Sequence, residues 1–136
     1  MKNIHVILFA ILMILVACTK DEAVNPNIPL MGKWGGQGVE ILATDTQINF
    51  SFDCASGVIE KNVVLVNNQF IERGTYTVFK GNNPINIEPP QPQNVQYQGN
   101  LASDVLTLSI KSDDGKTQIA TYTISKNVVA KIVKCL

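Results

Sequence analysis

From residue 31 onward, apolar and polar residues alternate in short runs, and no stretch holds apolar residues at helical spacing. In "QINFSFDC" the residues Ile48, Phe50, Phe52 and Cys54 fall on one face of an extended chain. Asn49, Ser51 and Asp53 fall on the other. "VLTLSIKS" repeats the pattern, with Leu106, Leu108 and Ile110 opposite Thr107, Ser109 and Lys111. "FIERGTYTVF" has strand composition with Gly74 as a predicted bulge or bend, and "QIATYTIS" and "VVAKIVKCL" add further runs. The turn formers between runs are Thr44-Asp45-Thr46, Ala55-Ser56-Gly57, Asn67-Asn68, Ser103-Asp104, Asp113-Asp114-Gly115 and Lys126-Asn127.

Eight strands follow from this spacing, near 33–43, 46–54, 57–66, 69–79, 94–101, 104–111, 117–125 and 127–135. Nearly every connection is of hairpin length, and Asn-Asn and Asp-Gly favour tight hairpins because these residues tolerate positive φ. Successive hairpins build a meander, and eight strands can close on themselves and leave no free edge. The predicted fold is therefore all-β, a small antiparallel up-and-down barrel over residues 31–136, with a two-sheet sandwich as the alternative. One connection departs from the pattern. "KGNNPINIEPPQPQN", residues 80–94, holds four prolines and cannot be a central strand. It reads as a long, partly polyproline-like rim loop, and Pro89-Pro90-Gln91-Pro92 formally satisfies P-x-x-P. A rim cover or a partner surface is the role such a loop suggests.

The N-terminus follows a different rule. Lys2 precedes an unbroken apolar run, 6–16, that is too short for a spanning helix of about 20 residues but suits a secretory signal. The run ends on Leu15-Val16-Ala17-Cys18. This resembles the lipobox of bacterial lipoproteins. The resemblance implies cleavage after Ala17, a diacylglyceryl thioether on Cys18 and a further acyl chain, such as palmitate, on its amine. A single acyl chain holds a membrane marginally and two or three hold it firmly. Thr19 stands where an Asp would favour inner-membrane retention in proteobacterial lipoproteins. Lys20-Asp21-Glu22 resembles the tag of surface-exported lipoproteins of Bacteroidetes-type bacteria. The expected domains are a signal peptide, 1–17; a lipidated Cys18 and tether, 18–30; and the barrel. The tether, "TKDEAVNPNIPL", is polar and carries Pro26 and Pro29, although Ile28 to Leu30 read equally as a first packed edge. The expected location is the cell envelope, lipid-anchored at the outer membrane.

That reading changes the cysteine arithmetic. With Cys18 acylated, Cys54 and Cys135 remain as an even pair in an oxidising compartment, and a disulfide between them is expected. It would tie an early strand to the last residues, with a chain-entropy contribution of about 4 kcal/mol before strain. Charge is balanced at eleven basic and eleven acidic residues, and loss of 1–17 removes only Lys2. Nothing here calls for nucleic acid, whose binding needs a cationic face. The one histidine, His5, leaves with the signal peptide. Without imidazole, Ser-His-Asp and Cys-His catalysis and the commonest zinc sites are excluded. The mature domain is expected to be no enzyme and to need no metal or cofactor.

Few remaining features carry chemistry. Gly32-Lys33-Trp34 in "GKWGGQG" resembles the Gly-x-Trp that opens the first strand of lipocalins, which implies that Trp34 plugs one barrel end. The glycines are no phosphate cradle, since no helix follows them. "GKWGGQ", "FDCASGVI", "RGTYTV", "VQYQGN", "LTLSI" and the final "KCL" together resemble a family of small, secreted, uncharacterised bacterial β-domains. The resemblance supports the fold and the Cys54–Cys135 bridge and implies no activity. Asp53, Glu60, Glu72 and Glu88 could meet as paired carboxylates, but exposed strand and turn positions explain them better. Arg73 is the sole arginine. Adjacent strand positions point Arg73 and Glu72 to opposite faces, and an inward Arg73 would anchor a carboxylate ligand. Lys126, Lys131 and Lys134 read as a wet face.

Two functional readings follow. In one, a hollow barrel lined by Trp34, Phe50, Phe52, Tyr76, Leu106 and Leu108 holds a small apolar ligand. In the other, the barrel is filled and its rim binds a protein partner, as in lysozyme-inhibitor-like lipoproteins, which "NVQYQG" loosely resembles. So few residues in eight short strands leave little room inside, because barrels of this size are often filled by side chains.

Overall fold

The computed structural model describes residues 26–81 and 89–135. Cys18, the lipobox, Glu88 and the first part of the rim loop lie outside these residues. Ten strands occur in the described chain: β1 (Ile28–Pro29), β2 (Gly32–Gly36), β3 (Val39–Ala43), β4 (Ile48–Phe52), β5 (Ala55–Ile59), β6 (Val64–Leu65), β7 (Gln69–Val78), β8 (Gln93–Ala102), β9 (Val105–Ser112) and β10 (Gln118–Lys126). Eight of them close a barrel in the order β10-β2-β3-β4-β5-β7-β8-β9, every pairing antiparallel. The sandwich alternative is thereby excluded. β1 and β6 form a separate two-stranded sheet.

Eight barrel strands were expected, but not these eight. The run 33–43 is two strands, because Gly38 takes a φ of 74° and turns the chain. The run 127–135 is no barrel strand. It leaves β10 at Asn127 and continues as an extended strap outside β2. Gly38 N–H donates to Lys131 O (2.8 Å), Lys131 N–H to Gly36 O (3.1 Å) and Cys54 N–H to Val133 O (3.2 Å). A Cβ on Gly35 would overlap the Val128 carbonyl, so only glycine lets the strap lie this close.

The turns are set by residues that accept positive φ. Asn67 and Asn68 both do, at 52° and 62°, and join β6 to β7 in a tight reversal closed by reciprocal Val66–Gln69 hydrogen bonds. Ala55-Ser56-Gly57 is not the turn it was read as. The chain reverses at Asp53-Cys54 instead, with Cys54 at a φ of 52°, and residues 55–57 belong to β5. At Gly74 β7 keeps unbroken register with β8, while its ladder with β5 ends at Thr75, so there is no bulge on the β8 side.

The barrel has two ends. The chain enters at residues 26–32 at the end that also holds the β3–β4 turn, residues 60–68, the β8–β9 turn and the close of β10. The far end holds the other hairpins and the tip of the strap. Leu30, Val63 and Leu65 are fully buried at the entry end, with Leu30 N–H donating to Val63 O at 2.8 Å. Ile28–Pro29 pairs with β6 and Leu30 is buried, so this stretch belongs to the folded domain as its first edge, the second of the two readings.

Candidate functional site

The interior was the expected ligand site. Alternation sends one row of each strand inward, and register places these rows side by side. Trp34 pairs with Ile41, Ile41 with Phe50, Phe50 with Gly57, and Gly57 with Tyr76. Trp34, Phe50, Phe52, Leu106 and Leu108 are all buried, and Tyr76 is half-buried against them. The structure thus brings together all six residues expected to line the interior. They belong to one packed core cluster, with Tyr76 at its edge. Phe50 stacks on Tyr97 with ring centroids 4.3 Å apart and an interplanar angle of 3°. Phe52 continues the cluster, with centroids 5.8 Å from Phe50, 5.1 Å from Tyr122 and 5.5 Å from Tyr76.

Two glycines make room for this cluster. A Cβ on Gly57 would overlap the Tyr97 hydroxyl, and one on Gly99 would overlap the ring of Phe70. Tyr97 Oη donates to Thr75 O at 2.7 Å, which satisfies its one polar group where it is buried. Burial, then the neighbouring Tyr76 and Tyr122, push the Tyr97 phenol far above its ordinary range. Burial also raises the Tyr76 and Tyr122 phenols, the latter with help from Tyr76 and Asp53. Tyr97 was not singled out from sequence, although its place in "NVQYQG", between Val95 and Gly99, is an inward position on a strand.

Trp34 is buried near the entry end, where its Nε1–H donates to Met31 O at 3.2 Å and Lys126 Nζ lies 5.7 Å from the ring centroid. A cation over an indole face is attracted by the ring quadrupole.

Cys54 and Cys135 form a disulfide with Cα atoms 4.9 Å apart, closing a span of 81 residues. Asp53 works beside it, accepting a hydrogen bond from Val133 N–H at 2.6 Å. The bridge and this carboxylate fix the strap at the far end.

The polar candidates are dispersed. Arg73 projects outward, not into the barrel, because Phe70 and its partners take the inward row of β7. Its Nε lies 3.5 Å from Asp113 Oδ1, with its side chain 74% exposed. Glu72 pairs with Lys61 at 2.5 Å, and Lys33 with Glu40 at 3.0 Å. Asp53 is at the far end, away from Glu60 and Glu72, so these carboxylates do not assemble as a set. Glu60, Arg73, Thr75, Asn94 and Asp113 line an open outer groove of about 270 Å³ beside Val58. The groove's charges are mixed and offer no single ligand chemistry. Asp114 holds the β9–β10 turn, accepting from Ser112 Oγ (2.5 Å) and Lys116 N–H (3.1 Å). The Ser112 hydroxyl, then the Lys116 amide, keep its carboxyl below the usual range.

Among the described residues, no three His, Cys, Asp or Glu side chains are grouped to hold a metal ion. No helix of the described residues is long and apolar enough to cross a membrane. The chain matches no protein-family model, no curated protein and no solved structure.

Proposed function

We propose that this chain is a lipid-anchored protein of the bacterial cell envelope, held at the outer membrane through Cys18. Its barrel is a non-catalytic scaffold that acts through its surface on a protein partner. The observation that carries the second half is the aromatic cluster of Phe50, Phe52 and Tyr97, which occupies the space an apolar ligand would need. Small-molecule sites are preformed clefts or cavities, lined by side chains that leave the ligand its volume. The six residues expected to line such a cavity lie in one packed core cluster. The anchor half is supported by the lipobox-like Leu15-Val16-Ala17-Cys18 after a short apolar run.

The anchor is tested by producing the full chain in a bacterium with its own leader, beside a Cys18→Ser variant. The wild type is expected in the membrane fraction and labelled by radioactive palmitate, the variant unlabelled and uncleaved. Equal distribution of the two, with no label on either, sinks the anchor.

A further inference from the structure

The exposed apolar residues include a group at the entry end. Of the thirteen large ones among the described residues, seven belong to the entry half of the barrel: Ile28, Met31, Leu42, Val64, Val66, Ile71 and Val105. The strap and the far rim share the others. Strand pairing places four of the seven, Met31, Val64, Val66 and Ile71, in one row with Pro29 and Gln69 between them. Val64 and Val66 flank the buried Leu65 and so project from the outer face of β6. Pro29, which stands opposite Val64, carries the row toward Met31. Val66 pairs with Gln69, and Ile71 stands two residues on along the same face of β7. Val66 and Ile71 are the barest, at 56% and 65% exposed.

We infer that this row is a lipid-contacting edge that lays the entry end of the barrel on the bilayer surface. The inference rests on the anchor proposed above. Two observations select lipid over other occupants. First, the row borders the point where the chain enters the fold, and the stretch from Cys18 to Ile28 spans at most about 35 Å. An anchored domain on so short a leash meets the bilayer at a high effective concentration, so a small apolar edge suffices. Second, the residues of the row, Met31, Val64, Val66 and Ile71 with Pro29 and Gln69, carry no charge of their own, and Lys61 and Glu72 are paired with each other. Contact is therefore through apolar insertion, insensitive to salt and to lipid charge. The far end, with the Pro89–Pro92 part of its loop, then faces away from the membrane and toward a partner.

The test uses the full-length lipidated protein in phosphatidylcholine vesicles with brominated acyl chains. Tryptophan is introduced by Ile71→Trp on the edge and by Ile119→Trp at the far end, both exposed positions. Bromine quenches indole only within the acyl region. Ile71→Trp is expected to lose at least half its added emission and shift to the blue, in zwitterionic and anionic vesicles alike. Ile119→Trp is expected to lose none. Vesicle-bound protein with both positions unquenched overturns the edge and leaves the anchor standing. Protein that does not float with vesicles at all overturns the anchor and the edge with it. A dimer in detergent that already shifts Ile71→Trp to the blue assigns the row to a second copy and overturns the lipid contact.

Discussion

Gly57 and Tyr97 fit one slot in the barrel: the Tyr97 hydroxyl lies where a side chain at 57 would begin. The same position pairs with Phe50 on one side and Tyr76 on the other, so Gly57 sits at the centre of the aromatic cluster. Gly57→Ala is expected to force Tyr97 off its hydrogen bond to Thr75. Overpacking costs about 1–3 kcal/mol and the lost bond about 1 more. Urea unfolding measures this as a lower midpoint at unchanged slope. An unchanged midpoint would mean that the interior has room to spare, against the filled barrel.

The tyrosines make stability depend on alkaline pH. Tyr97, Tyr76 and Tyr122 all hold their protons in the folded state beyond the ordinary 10.0. The unfolded chain therefore releases protons more readily above pH 10, and stability falls as pH rises. Below pH 10 this contribution is fully present. Absorbance at 295 nm is expected to rise late and together with loss of the folded signal. Three tyrosines titrating independently near 10, with the fold intact, would contradict the burial.

The strap is held by the Cys54–Cys135 bridge and by hydrogen bonds rather than by core side chains, with Val129 85% exposed. A Cys54→Ser/Cys135→Ser double variant is expected to lose about 2–4 kcal/mol. Hydrogen exchange should speed at Lys131 and Val133 while the β8 and β9 amides stay protected at low denaturant. Global loss of protection there would make the strap part of the barrel's own cooperative unit.

Asn68 carries a φ of 62° in the β6–β7 reversal. Asn68→Gly is expected to be near neutral, while Asn68→Ala costs about 1 kcal/mol, because a Cβ disfavours the left-handed region. Thermal unfolding of the two variants checks the order.

Much of the barrel was legible because alternation and burial agree. Phe50, Phe52, Leu106 and Leu108 face inward where period two places them. The errors have physical causes. "VVAKIVKCL" has strand composition, but a strap needs only backbone partners, and composition cannot tell a ladder from an outer wrap. Asp53-Cys54 hides a turn because Cys54 is a poor turn signal. Gly57 advertises a turn but serves to seat Tyr97, a residue forty positions away. Arg73 points outward because Phe70 fixes the inward row of β7, which the adjacent Glu72-Arg73 pair could not decide by itself. The candidate site was read less well, since lining residues are visible in sequence and the volume between them is not.

The most direct measurement is native mass spectrometry of the protein extracted in detergent from the membrane of the producing bacterium. The expected species begins at Cys18, carries covalent acyl groups, lacks two hydrogens relative to its reduced form, and holds no non-covalent passenger. An unlipidated chain, or an apolar molecule released on organic extraction, would contradict the lipid-anchored, filled barrel.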